Sequence, residues 1–172
     1  MNLLQNEIPL IQGLTYTQNF ITEEKEQQLI SEIDKQLWLN DLKRRVQHYG
    51  YKYNYKARKI TPDLKIGEIP QWLQILSNFD QVIVNEYLCG QGITPHIDCI
   101  SCFSNAICSL SLLETCEMVF EKDNIKHSII LEPRSLLILQ DEARYKWKHS
   151  IPQKKSNIKN RRVSITLRKV IL

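Results

Sequence analysis

Apolar and polar residues change rhythm near position 80. Before it, Leu29, Ile30, Ile33 and Leu37 recur at helical spacing behind Thr22, which can cap a first turn, and Glu23 and Glu24 stand where a helix N-terminus favours negative charge. This predicts one amphipathic helix lying on a sheet. Pro70 suits a first helical turn, and Trp72, Leu73 and Leu76 carry the pattern into a second short helix expected to end near Asn78.

Beyond Asp80 the pattern is one of short β-rich runs: Val82 to Tyr87, Ile107 to Leu113, Cys116 to Glu121, His127 to Leu131, Ser135 to Leu139 and Arg162 to Ile171. Lys122-Asp123-Asn124 reads as a hairpin turn and Pro133 separates the next pair of runs. No helix of crossover length intervenes, so the strands are expected to be antiparallel. The fold class is mainly β with N-terminal helices (α+β), a sandwich or jelly roll.

Composition narrows the class without changing it. A chain of 172 residues is expected to form one domain and to bury roughly 70% of the surface exposed when unfolded. Nowhere do 18 apolar residues run together, and Met1 to Leu14 has no basic region leading into an apolar core. The expectation is a protein of the cytoplasm, or alternatively the nucleus, with no membrane partner. The five cysteines, at 89, 99, 102, 108 and 116, are therefore expected to be free thiols, and Cys99-x-x-Cys102 an incidental pair.

Formal charge is +4, and its distribution says more than its size. Between Lys43 and Lys59 there are seven Lys or Arg and no Asp or Glu. Through the same segment Tyr49, Tyr51, Tyr53 and Tyr55 alternate, so an extended ribbon would put four aromatic rings on one face. Such rings can stack on unpaired bases while Lys43, Arg44, Arg45, Arg58 and Lys59 track phosphates. The alternative is a tyrosine-rich hairpin packed on the core with a solvated basic edge.

Candidate chemistry begins at TPHIDCISC. His96 and Asp98, two apart on an extended segment, face the same way, and His149 follows the strand-like SLLILQ. Two histidines and a carboxylate on one face of an octahedron hold non-haem iron and leave positions open. A surface or core histidine remains the alternative for each ring alone. In RRVSITLRKV, Val163, Ile165 and Leu167 point one way while Arg162, Ser164, Thr166 and Arg168 point the other. Inside a barrel those guanidinium groups need an anionic partner, and a dicarboxylate would serve; on a solvated edge strand they need none. Asn85 and Tyr87 form a further pair on one face of their strand.

Taken in order, Asn85-x-Tyr87, GQGITPHID, His149 and Arg162-x-Ser164-x-Thr166-x-Arg168 resemble the AlkB family of iron(II) and 2-oxoglutarate dioxygenases. RRVQHYGYKY, SLLILQDEARYKWKHSI and RRVSITLRKV look most like the AlkB homologues that hydroxylate a modified wobble uridine in tRNA. The resemblance implies a double-stranded β-helix and a catalytic iron held by His96, Asp98 and His149. It implies 2-oxoglutarate bound by Arg162 and Tyr87 at its distal carboxylate, with Asn85 and Arg168 near its chelating end, and dioxygen as oxidant.

The family usually has Asn where this chain has Ser164, so no contact is carried over there. Residues 43–59 would be a nucleotide-recognition lid, with Arg44, Arg45, Tyr49, Tyr51, Lys52 and Tyr53 as nucleic-acid contacts. The expected partner is RNA, with tRNA foremost and single-stranded or damaged DNA as the alternative, bound by a monomer. The wobble-uridine enzymes also carry RNA-binding or methyltransferase domains, which 172 residues do not hold, and a separate methyltransferase partner would fill that gap. Two other readings stand beside hydroxylation: oxidative demethylation of alkylated bases, and a non-catalytic jelly roll that binds RNA or carries zinc.

Overall fold

The computed structural model describes residues 10–40 and 42–172; the first nine positions of the segment weighed as a leader lie outside it. Among the described residues ten strands, β1 (Leu14–Thr17), β2 (Val46–Tyr49), β3 (Gln81–Leu88), β4 (Ile93–His96), β5 (Phe103–Leu112), β6 (Cys116–Lys122), β7 (Ile125–Leu131), β8 (Leu136–Leu139), β9 (Lys148–Ile151) and β10 (Arg161–Val170), form two antiparallel sheets. The larger runs β1-β8-β5-β10-β3-β2 and the smaller β4-β9-β6-β7, a jelly-roll arrangement. All six runs expected beyond Asp80 are strands, with ends shifted by a few residues. The hairpin turn expected at Lys122-Asp123-Asn124 is present with Asp123 and Asn124 as its two central residues, φ 50° and 66°, while Lys122 pairs with Ile125 in the ladder.

Helix α1 (Glu23–Asp34) begins at Thr22, whose Oγ1 accepts from Lys25 N at 3.2 Å. Leu29 and Ile33 are buried beneath it against the outer face of the larger sheet, with Val82, Val84, Leu110, Val163, Ile165 and Leu167. Leu37, expected on that stripe, lies beyond the helix end and is exposed. The expected helix from Pro70 to Asn78 is reduced to one 3₁₀ turn, Gln71–Leu73. The chain leaves the helical region at Gln74, whose ψ is 69°, and Leu73 alone of the pattern is fully buried. Helix α2 (Asp141–Tyr145) is a short turn between β8 and β9.

Two expectations fail for reasons visible in the backbone. Cys99 and Cys102, expected as thiols, are joined in a disulfide; Cys102 N donates to Cys99 O at 3.3 Å in a tight turn that brings their Cα atoms to 5.3 Å, within reach of a bridge. Cys89, Cys108 and Cys116 remain free. The tyrosine ribbon does not run past Tyr49, because Gly50 turns the chain with φ 75° where a Cβ would overlap Asp80 O. Among the described residues no helix is long and apolar enough to cross a membrane.

Candidate metal centre and its cavity

β4 and β9 pair so that His96 faces His149 directly across the ladder, which sets their rings 4.3 Å apart between centroids. Asp98 follows two residues past the end of β4. Potential ligand atoms of His96, Asp98 and His149 lie within 4.8 Å of one another, the spacing a single metal ion requires. Register thus unites positions 96 and 149, which the sequence could relate only by pattern.

The protonation states suit metal binding. His96 Nδ1 donates to Thr94 O at 2.8 Å, which fixes the tautomer and leaves Nε2 free to coordinate. Burial, and after it the neighbouring His96, pull the His149 ring down to about 3, so it is neutral at physiological pH. For Asp98 burial works upward, but the Arg168 guanidinium and, after it, the neighbouring His96 ring outweigh it and hold the carboxyl well below the usual carboxylate range. Arg168 grips both carboxylate oxygens, Nε to Oδ2 at 3.1 Å and Nη2 to Oδ1 at 3.3 Å.

Arg144 is a participant the sequence reading missed. It is 2% exposed on α2 and donates Nη1 to Asp98 O and Nη2 to Cys99 O, each at 2.9 Å. A buried cation is costly unless its donors are used. Here two are used to clamp the backbone of the segment that carries Asp98. An arginine five residues before a candidate histidine, within EARYKWKH, was the signal available, and periodicity gives it no special weight.

The three residues line a cavity of about 320 Å³ between the sheets. Its larger-sheet wall follows from register: Arg162 stands opposite Tyr87 and Ser164 opposite Asn85 on adjacent strands, so all four side chains line it. Arg162 is 1% exposed and donates Nη2 to Ser111 Oγ at 2.8 Å, while its Nε and Nη1 have no partner. Two orphaned, charged donors deep in a cavity with a metal-ligand set match one carboxylate of a 2-oxoglutarate whose other end chelates the ion. The residues present therefore fit both iron and 2-oxoglutarate.

The proposed nucleic-acid contacts separate into two groups. Arg44 and Tyr53 reach the cavity with Tyr55 and Arg58. Arg44 Nε donates to Asn85 Oδ1 at 2.9 Å, and the Tyr53 ring lies 5.1 Å from Tyr55. Arg45 is turned to the outer face, where it pairs with Glu86 at 2.8 Å and covers Trp38. Tyr49 packs edge-on against Trp72, also outside the cavity, and burial pushes its hydroxyl up to about 12. Tyr51 borders a surface groove with Lys65, and Lys52 is half-buried with its backbone N bonded to Leu64 O. The other histidines stay apart from the centre: His48 is buried beside Tyr55 and His127 lies against Trp147.

Comparison with known proteins accords with this geometry. The family model described as 2OG-Fe(II) oxygenase superfamily matches residues 34–168. The chain is 37% identical to "Alkylated DNA repair protein ALKBH8 homolog" of Arabidopsis thaliana over 99% of its own length and 61% of the relative's. It is 30% identical to "DNA N6-methyl adenine demethylase" of Caenorhabditis elegans over 92% and 60%. With "tRNA (carboxymethyluridine(34)-5-O)-methyltransferase alkbh8" of Xenopus tropicalis it shares 32% identity, over 85% of this chain and 26% of that one. The chain thus spans less than two thirds of these relatives. The solved structure titled "The structure of OsALKBH1" superposes with a TM-score of 0.76 at 15% identity, covering 94% of this chain and 99% of that one, a likeness of fold.

Proposed function

We propose that this chain, which belongs to the 2OG-Fe(II) oxygenase superfamily, oxidises a nucleobase or its substituent in RNA, with a modified uridine at the wobble position of tRNA as target. The observation that carries the reading is the conjunction in one cavity of the His96-Asp98-His149 set with the unpartnered donors of Arg162. When bound, iron(II) and 2-oxoglutarate supply the oxidising chemistry: dioxygen is consumed, 2-oxoglutarate loses carbon dioxide to give succinate, and one oxygen atom goes to a substrate C–H bond.

The protein's own work is binding and aiming. Arg162 takes a carboxylate, Arg168 keeps Asp98 ionised, and Arg144 fixes the backbone from which Asp98 projects. Tyr53, Tyr55, Arg44 and Arg58 bring aromatic faces and positive charge to the same cavity, in keeping with residues 43–59 acting as a lid over a base. A base within a duplex could not reach this depth, so the target is unpaired or flipped. The anticodon loop meets that condition.

A second reading, oxidative demethylation, is favoured by the named activity of the nematode relative. It differs only in the carbon attacked: hydroxylation next to a base nitrogen releases formaldehyde, while elsewhere the hydroxyl stays. Mass spectrometry of nucleosides from tRNA and from methylated oligonucleotides, each incubated with protein, iron(II) and 2-oxoglutarate, separates them. A new hydroxylated uridine is expected; formaldehyde release would move the assignment to demethylation. His96→Ala should abolish succinate formation and leave RNA binding largely intact, whereas a non-catalytic binding module would give no succinate even with the unchanged chain.

A further inference from the structure

Positive charge around the cavity is not confined to residues 43–59. From Ala143 to Leu172 the chain has ten Lys or Arg and no Asp or Glu. Most of these cations are engaged. Arg144, Arg162 and Arg168 serve the metal centre, while Arg161 pairs with Asp34 and Glu86, Lys146 with Glu142 and Lys169 with Asp80. The Glu114 carboxylate accepts only from the backbone at Lys159 and Asn160, and Glu121 is paired with Lys126. Among the described residues Lys148, Lys154, Lys155 and Lys159 are exposed and in no ion pair, and Lys154 and Lys155 stand side by side in the β9–β10 loop.

The β9–β10 loop that presents them is anchored. Asn157 accepts from Glu117 N at 2.6 Å and donates to Glu117 O and Pro152 O at 3.2 Å, and Ile158 is fully buried. The tip rests on the turn after β3: Lys155 O lies 3.8 Å from Cys89 Sγ, and a Cβ on Gly90 would meet Lys155 Cγ at 3.7 Å. From the other side of that turn Gln91 Nε2 donates to Lys43 O at 3.0 Å. Lys43 is exposed, also in no ion pair, and stands between the cavity-lining Leu42 and Arg44. The turn itself feeds Ile93 and Thr94, which line the same cavity. Exposed lysines from two distant segments are therefore held at one turn, and the residues that follow it, Ile93 and Thr94, line the cavity.

We propose that Lys43, Lys154 and Lys155 form a phosphate-binding rail for the single-stranded polynucleotide on either side of the base held in the cavity. The inference rests on the nucleic-acid reading above and adds the surface that would hold the strand. A base drawn into a buried site leaves its flanking phosphates at the rim, and ammonium groups without protein partners release counterions when phosphates meet them. Lysine, a compact point charge on a flexible stem, suits such contacts because they carry no sequence information.

The test is the salt dependence of binding to a labelled anticodon stem-loop RNA, followed by fluorescence anisotropy. At about 0.7 per phosphate contact on a single strand, the Lys154→Ala/Lys155→Ala double variant should flatten the slope of log affinity against log salt by about 1.4 and weaken binding roughly tenfold. Lys126→Ala/Lys146→Ala, whose lysines pair with Glu121 and Glu142, should change neither. Lys154→Arg/Lys155→Arg should restore the slope, and the anaerobic visible band of the iron–2-oxoglutarate chelate should be the same in every variant. An unchanged slope in the alanine double variant, with the unmodified chain binding RNA normally, overturns the rail and leaves the proposed function standing. Absence of RNA binding by the unmodified chain overturns both, and polyglutamate bound as tightly as RNA overturns the assignment to a nucleic acid.

Discussion

Along β10, Val163, Ile165 and Leu167 disappear into an apolar layer beneath α1, whereas Arg162, Ser164 and Thr166, each one residue away, are buried almost as deeply among polar groups. On the first face burial is itself stabilising, at roughly 25 cal/mol per Å² of apolar surface, and nothing is left unmet. On the second it is costly, and the cost is incompletely offset because Nε and Nη1 of Arg162 have no partner. A carboxylate bound there, as proposed for 2-oxoglutarate, would offset the cost of keeping that guanidinium 1% exposed. The contrast separates residues that make the fold from residues that use it.

Substitution can break that contrast. Ile165→Ala should lower stability by about 3 kcal/mol through loss of a buried side chain, or roughly 6–12 °C in Tm, and leave the KM for 2-oxoglutarate unchanged. Arg162→Met should do the reverse: the KM rises by roughly 100-fold, the effect of removing one partner of a buried charge pair, while the metal-free chain keeps or gains stability because an unpaired buried cation has gone. Thermal melts of metal-free protein with steady-state kinetics give both readings. If Arg162→Met melted much earlier than the unmodified chain, the two faces would not differ as described.

The next largest effect is expected at Arg144, which touches no ligand atom. Arg144→Met should weaken metal binding by about 10- to 100-fold, the range for groups that orient metal ligands, and Arg144→Lys should recover part of it. Cobalt(II) titration followed by its visible spectrum reads affinity and geometry without turnover. Unaltered affinity in Arg144→Met would reduce the clamp on Asp98 O and Cys99 O to a packing role.

The smallest effect concerns acid. The His149 ring is at about 3 in the folded chain and near 6.5 when unfolded, so between those values the unfolded chain holds a proton the folded chain lacks. Stability of the metal-free protein should thus fall as pH drops below about 6.5, by at most about 1.4 kcal/mol per pH unit from this group. Asp98, whose carboxyl is held low, acts in the same direction at lower pH: its stabilisation is present above the ordinary carboxylate value and is lost as the folded group takes up its proton. Urea midpoints at pH 5.5 and 7.5 check the sign, and His149→Gln should flatten the difference.

Much of this was legible beforehand where local rules apply. Thr22 and the acidic first turn announced α1, alternation sorted the two faces of β10, and Asp123-Asn124 marked the hairpin. Reading failed where one residue overrode a pattern. Gly50 ends the ribbon that four alternating tyrosines suggested, Gln74 leaves the helical region early in the helix expected after Pro70, and a tight turn joins two cysteines counted as thiols. Arg45 and Tyr49 looked the same as Arg44 and Tyr53 in the sequence, and only packing against Trp38 and Trp72 assigned them to the other side.

By itself the sequence determined the periodicities, the caps and turns, and the kinds of group available, because these depend on neighbours along the chain. Only the tertiary structure decided that His96 and His149 face each other across β4 and β9, that Arg162 is buried with two donors unmet, and that Lys43 and Lys155 flank one turn. Such juxtapositions are set by strand register and sheet packing, interactions between residues far apart in sequence whose pairing no local preference specifies.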